Sequence, residues 1–323
     1  MHVSTKPGHQ KSRHLKGEQV MRYFRADYFS KTGMPLFVNL VPGQTEHLFH
    51  DHDFMELVIV KEGHGWHATR TDEHPIQAGD VFVIHPQEEH SYRDTSGLNL
   101  FNVLFDLSQM KLPLFDLDRA PGYRALFALE PRLRASHGFK SRLKLSPANL
   151  AIACDLLEQL GRELDQKRAG YQAVAAALFL QVVGFLSRCY SHIEGPGPRV
   201  LLRLGAVLDH LESSLDQPIQ LEELSKLAGM SKSSFQRAFR RALNASPVDY
   251  LIRLRIQKAC ELLANGEQNI KEVAAATGFD DSNYFTRQFR RVMGSSPSDF
   301  RRTRKVMPIQ SPARASPNHP PFH

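Results

Sequence analysis

Cysteine is scarce in this 323-residue chain. The three present, Cys154, Cys189 and Cys260, are widely spaced and none belongs to a CxxC pair. That excludes a disulfide framework and a structural zinc finger, and fits reduced core thiols in a cytoplasmic protein. Long uninterrupted apolar runs are also missing, so no bilayer span is expected and no membrane partner with it. The opening stretch, MHVSTKPGHQKSRHLKG, has basic residues but no apolar segment of the kind a secretory signal needs. It reads as a disordered arm over residues 1–20, and the proline- and serine-rich end as a disordered tail over 306–323. An excess of acid is absent too. The formal charge is +7 and the pI about 9.3, which fits a nucleic-acid partner and equally a plain solvated basic surface. Hydrophobic residues at 41% and charged residues at 23% mark a globular chain, long enough for two domains.

Between about 36 and 105 the text is made of short β-like runs: LFVNLV, MELVIV, WHATRT, DVFVIH and LNLFNVLF. Turn residues separate them, in PGQ, KEGHG, DEHPIQAGD and DTSG, so a β-sandwich or small barrel is expected over 21–120. From Pro121 the pattern turns helical. Ser146 and Pro147 open one amphipathic stretch, with Leu150, Cys154, Leu157 and Leu160 at helical spacing. A second, YQAVAAALFLQVVGFLSRCY, is apolar enough to need a cover, and a second subunit is one candidate. The region 121–194 is thus expected to serve as a helical link and dimer surface. GPGPR at 195–199 is read as a stop and a linker, placing the domain boundary there.

Beyond that point the chain repeats itself. FRRALNASPVDY from Phe239 and FRRVMGSSPSDF from Phe289 align fifty positions apart. Each copy reads as helix, glycine turn, helix, with Gly229 and Gly278 at the turns. Ser231 is the expected N-cap of the first copy's second helix, and Asp280 or Asp281 of the second copy's. Phe235, Phe239 and Leu243 would be buried in one, Phe285 and Phe289 in the other. VDYLIRLRIQKACELLA joins the copies as one long helix. This is the helix-turn-helix pattern, whose second helix enters the DNA major groove. The polar faces then carry Lys232, Ser233, Gln236, Arg237 and Arg240, and Ser282, Asn283, Thr286, Arg287 and Arg290. Arginine suits guanine, and asparagine or glutamine suits adenine, because each forms two hydrogen bonds to a base edge. Arg240, Arg241, Arg290 and Arg291 fit phosphate contacts or packing better than base reading.

Carried by AxxxGF at Ala274–Phe279, by YFTRQFRRVMGSSPSDFR at Tyr284–Arg301 and by the degenerate first copy, residues 200–305 resemble the DNA-binding domain of the AraC/XylS transcription regulators. The resemblance implies two helix-turn-helix units on promoter DNA, a homodimer, an N-terminal ligand-sensing domain and contact with RNA polymerase. Asn244 stands where the second copy has Gly294, a small departure since asparagine tolerates the left-handed conformation.

The earlier stretch HDHDFMELVIVKEGHGWH resembles the first cupin motif through His50, His52, Glu56 and Gly63. GDVFVIHPQEEH resembles the second and ends at His90, although Pro86 is displaced by one position. His50, His52 and Glu56 share the parity of one strand face. With His90 they would make a first shell for a divalent transition metal, or hydrogen-bond a sugar as in the sensor cupins of rhamnose regulators. Trp66 is a candidate for stacking on the ligand, whereas His47, His64 and His74 read as surface histidines. The expected fold is therefore α+β in two domains: an N-terminal cupin-like β-barrel with a helical appendage, and an all-α C-terminal domain with two helix-turn-helix units. The expected function is a ligand-responsive, sequence-specific transcription regulator with no catalytic residues. A metal-dependent cupin enzyme, dioxygenase or sugar isomerase, carrying a DNA-binding tail is the alternative. Ligand in the barrel would reposition the arm or the helices at 148–191 and so the two subunits' DNA-binding domains.

Overall fold

Short apolar runs of the first hundred residues pair into one eight-stranded sheet in a computed structural model that describes residues 20–137 and 143–306. The expected arm and tail fall almost wholly outside the described residues. The strands are β1 (Met21–Tyr23), β2 (Leu36–Val41), β3 (His47–His52), β4 (Met55–Thr69), β5 (Glu73–Gln77), β6 (Asp80–Ile84), β7 (His90–Phe105) and β8 (Leu143–Lys144). A short helix, α1 (Arg25–Thr32), lies between β1 and β2. The sheet order is β1-β3-β7-β4-β6-β8, with β2 on β7 and β5 on β4. β4 and β7 pair antiparallel along nearly their whole lengths, with register shifts between Val60 and Trp66. Such bulges bend and twist a ladder, which curls the sheet around an interior.

Both faces of that sheet are covered, which is why LVIV is apolar at every position rather than alternating. Val58, Val60, Phe82, Ile84, Tyr92, Leu98 and Leu100 pack on the inside. Leu57, Ile59, Val81, Val83, Phe101, Val103 and Phe105 pack outward against two long helices, α5 (Pro147–Gln166) and α6 (Tyr171–Ser191). Phe105 and Phe179 meet there, ring centroids 5.1 Å apart. The Ser146 hydroxyl caps α5 by accepting from the Asn149 N–H, and Pro147 occupies the first helical position, where its missing N–H costs nothing.

α6 corrects one expectation. It is 21 residues long with a mean hydropathy of 1.6 over its most apolar window, long and apolar enough to cross a membrane, with 39% of that window buried inside the protein. Length and composition alone do not separate such a helix from a core helix that a neighbour covers.

Between sheet and α5 lie α2 (Leu107–Met110), a 3₁₀ turn (Leu117–Arg119), α3 (Pro121–Tyr123), a π turn (Arg124–Leu129) and α4 (Glu130–His137). GPGPR then proves to start a helix rather than stop one: α7 runs Pro196–Ser213 with Pro196 in its first turn. Proline is pre-organised for exactly this end of a helix, so a proline pair next to glycine marks an entry as well as an exit. The repeat follows as α8 (Leu221–Leu227), α9 (Lys232–Leu243), α10 (Pro247–Asn265), α11 (Ile270–Ala276), α12 (Ser282–Met293) and α13 (Pro297–Val306). Ser231 caps α9 and Asp281 caps α12 through their side chains. Asn244 ends α9 in the left-handed conformation at φ 50°, as Gly294 ends α12 at 72°.

The two copies differ in what they pack on. Phe235, Phe239 and Leu251 belong to the hydrophobic cluster that runs through the outer face of the sheet. Phe285 and Phe289 sit in a separate cluster with Ile256, Ala259, Leu263, Val273 and Phe279.

Candidate sensor site and nucleic-acid interface

β3 and β7 pair so that His50 lies opposite His90, while Glu56 on β4 lies opposite Leu104 of β7 and Ile84 of β6. This register brings His52, Glu56 and His90 together inside the barrel, each at most 4% exposed. One ligand atom from each lies within 4.8 Å of the others. His52 Nδ1 is 2.7 Å from the Phe54 carbonyl and His90 Nδ1 is 3.0 Å from the Glu88 carbonyl. A carbonyl only accepts, so these Nδ1 atoms carry hydrogen and, in the neutral ring, each Nε2 offers a lone pair. His52 Nε2 lies 3.0 Å and His90 Nε2 3.7 Å from the same Glu56 carboxylate oxygen. Lone pairs facing a carboxylate are stable only with a proton or a cation between them.

The electrostatics favour the cation-binding forms. Burial, then the neighbouring His50, pushes His90 down to about 3, so it is uncharged at neutral pH. For Glu56 burial pulls upward, but the close approach of His52 and the surrounding imidazoles outweigh it and hold the carboxyl below its usual range.

His50 departs from expectation. It is buried, its Nδ1 lies 3.1 Å from the Leu48 carbonyl, and its ring packs on His90 at 4.0 Å between centroids. Its nitrogens are not in the converging set. Four expected ligands become three with a flanking imidazole, because His50 and His90 are a direct cross-strand pair whose tilted rings pack side by side rather than converge.

Trp66 is not in this site. It is 38% exposed and lies opposite Pro75 and Arg93 in the ladders. The bulges between Val60 and Trp66 shift the alternation by one, so the inward residue is His67. His67 is buried, its ring centroid 5.5 Å from that of His90, 4.8 Å from Phe82 and 5.5 Å from Tyr92. Gly63 and Gly65 inside the run were the available signal, since glycine within a strand marks a bulge. His74 is likewise buried, not on the surface; it lies opposite His67, with Nε2 3.6 Å from Asp72. His64 is exposed, and His47 packs on His50 at 4.5 Å with its Nε2 3.2 Å from the Tyr23 hydroxyl.

On the helical side, all five residues expected on α9, Lys232, Ser233, Gln236, Arg237 and Arg240, are exposed while Phe235 and Phe239 are fully buried. On α12, Asn283, Arg287 and Arg290 are exposed, and Ser282 and Thr286 are half-buried. The Thr286 hydroxyl donates to the Ser282 carbonyl at 2.8 Å. Lys232 is ion-paired with Glu222. Among the described residues no carboxylate pairs with Arg237, Arg240, Arg287 or Arg290. Arg291, by contrast, is exposed and ion-paired with Asp249 of α10 at 3.2 Å.

Comparison with known proteins agrees with both halves. The profile of the AraC-like ligand binding domain matches residues 41–183, and a helix-turn-helix domain profile matches 224–303. The HTH-type transcriptional activator RhaR of Cronobacter sakazakii is 30% identical over 278 residues, covering 86% of this chain and 94% of that one. RhaR of Escherichia coli O139:H28 is 31% identical over 253 residues, covering 78% and 86%. The DNA-binding domain of AdpA, solved in complex with a target DNA, is similar over 32% of this chain and 94% of its own, at 31% identity and a TM-score of 0.31. The chain belongs to the AraC family: it is a DNA-binding transcription regulator in which a ligand-binding barrel precedes two helix-turn-helix units.

Proposed function

We propose that this regulator is a cytoplasmic, non-enzymatic activator that senses a sugar in its barrel and reads promoter DNA as a homodimer, in contact with RNA polymerase. One observation carries the sensing part: the barrel interior encloses buried imidazoles and one carboxylate whose polar atoms converge on a single point. Such groups match sugar hydroxyls, which both donate and accept. The relatives' names, HTH-type transcriptional activator RhaR, support activation. Base contacts are assigned to Ser233, Gln236 and Arg237, and to Ser282, Asn283, Thr286 and Arg287, with Lys232, Arg240 and Arg290 beside the phosphates. The dimer is assigned to the outward face of α6, where Ala173, Val174 and Ala177 are exposed beside half-buried Leu178 and Phe185.

His52, Glu56 and His90 fit a divalent transition metal. His90 Nε2 is buried without a hydrogen-bond partner among the described residues, and the donor set is two imidazoles and a carboxylate with backbone carbonyls fixing both rings. A metal held there would act as a Lewis acid toward a hydroxyl pair of the effector. The chain's own part is to fix the rings and keep water out.

Untagged protein, purified without an immobilised-metal column, should contain near-stoichiometric transition metal by elemental analysis, and Glu56→Gln should lose most of it. A wild type free of metal refutes the metal assignment. A thermal-shift screen of aldoses and deoxyhexoses should then find one that raises Tm by several degrees at about a hundredfold its Kd, where ligation adds about 2.7 kcal/mol. A flat screen across all sugars counts against the sugar class and leaves DNA binding untouched.

A further inference from the structure

The repeat allows the two helix-turn-helix units to be compared residue by residue, and they are not equally attached. Ala242, Leu243 and Ala245, at the end of α9, are at most 9% exposed, whereas their counterparts Val292, Met293 and Ser295 are only half-buried. The cover on the first unit is α4 of the sensor, whose Leu133 lies in the same hydrophobic cluster as Phe239, Ala242 and Leu243. The second unit has its own core. It is tied back by Arg255 of α10, which donates to the carbonyls of Leu215, Gln217 and Gly278, all within the DNA-binding domain.

The seam between sensor and first unit has little slack. α3 is wedged between α6 and α7 at two glycines. A Cβ on Gly122 would sit 2.0 Å from the Ser187 carbonyl oxygen, and one on Gly205 3.0 Å from that of Pro121. Next in sequence comes the π turn. Its Arg124, 6% exposed, donates through both terminal nitrogens to the Glu212 carboxylate of α7 at 2.8 and 2.7 Å. From its other side, the Phe127 carbonyl accepts from His85 Nε2 at 3.1 Å. His85 stands directly after β6, and its backbone N–H points to Glu88 Oε2 at 3.4 Å. The Glu88 carbonyl in turn accepts from His90, one of the three converging residues, at 3.0 Å.

We propose that the π turn Arg124–Leu129 is the joint through which the barrel sets the position of the first helix-turn-helix unit alone, while the second unit is left to find its half-site independently. A π turn carries one residue more per turn than its α-helical neighbours, and such turns occur often at functional sites. It has two discrete neighbouring arrangements available, π or α, which is what a coupling element requires. A shift of His90 on ligand binding reaches α7 through His85, Phe127, Arg124 and Glu212. This deepens the sensor reading for what triggers the joint, although the joint itself is tested without any ligand.

Hydrogen–deuterium exchange on the full chain, free of added effector, metal or DNA, distinguishes the possibilities. His85→Ala cuts the joint on the barrel side and Glu212→Gln on the DNA-binding side. Both should speed exchange by about tenfold in 124–129, α7 and α9, the effect of losing a hydrogen bond to a charged or buried group, and leave α11 and α12 at wild-type rates. Glu212→Asp, which keeps the charge, should restore most of the protection in 124–129. Faster exchange confined to the barrel in His85→Ala, or equal acceleration of α9 and α12 in either variant, would overturn the proposal. Because Glu212→Gln alters the opposite end of the same joint, a His85 variant that misfolds still leaves a decisive measurement.

Discussion

Phe285→Ala is expected to melt the second helix-turn-helix unit while the barrel and the first unit stay folded. Phe285 is fully buried in a small cluster that contains no residue of the sensor. Truncating a buried phenylalanine costs about 3–5 kcal/mol, comparable with the whole stability of a unit this small. The first unit shares its cluster with the outer face of the sheet, so it draws on a larger cooperative body. The chain supplies its own reporter: Trp66 is its single tryptophan and sits on the barrel. In the variant, far-UV circular dichroism should show an early loss of part of the helical signal, with Trp66 emission changing only at the later transition. One transition seen together by both probes would show that the two cores unfold as one.

Arg237→Ala together with Arg287→Ala should lower specific promoter affinity by on the order of a hundred- to ten-thousandfold and spare nonspecific binding far more. The two side chains occupy equivalent places on α9 and α12, fifty positions apart, exposed and without a carboxylate partner among the described residues. A bidentate arginine–guanine contact carries about 1–3 kcal/mol of discrimination, and sites on separate helices add. Titrations at several salt concentrations separate base reading from charge. The affinity ratio of promoter over random DNA should collapse, with only a modest change in the salt slope. An unchanged ratio would move base reading away from these arginines.

The repeat was legible in the sequence because it shows twice what one copy only suggests. Gly229 and Gly278 at the turns, the caps Ser231 and Asp281, and Asn244 standing in for a left-handed glycine all lie where the pattern places them. The barrel was legible as strands, and the spacing of His52, Glu56 and His90 as a cluster. Past the bulges the faces exchange, so Trp66, a candidate for stacking on the ligand, lies on the exposed side and His67 is inside instead. Parity also says which face a residue takes but not which atoms converge, so His50 joins the ligand set by spacing and packs beside it in the fold. GPGPR shows that proline and glycine mark a helix end without saying which end. The joint left no trace at all, since Arg124 and Glu212 are 88 residues apart and each looks like an ordinary polar residue on an amphipathic helix.

The wedge of α3 between α6 and α7 bears on how a protein like this changes over generations. Joined modules separated by loose tethers can be exchanged between genes with little penalty. Here the backbone of the seam is in near contact on both sides, at Ser187 and at Pro121. A foreign sensor spliced ahead of α7 would have to bring a matching groove for Gly205 and an arginine for Glu212, or leave an apolar flank of α7 bare. The two halves are therefore expected to be inherited together, drifting as a matched pair rather than as interchangeable parts.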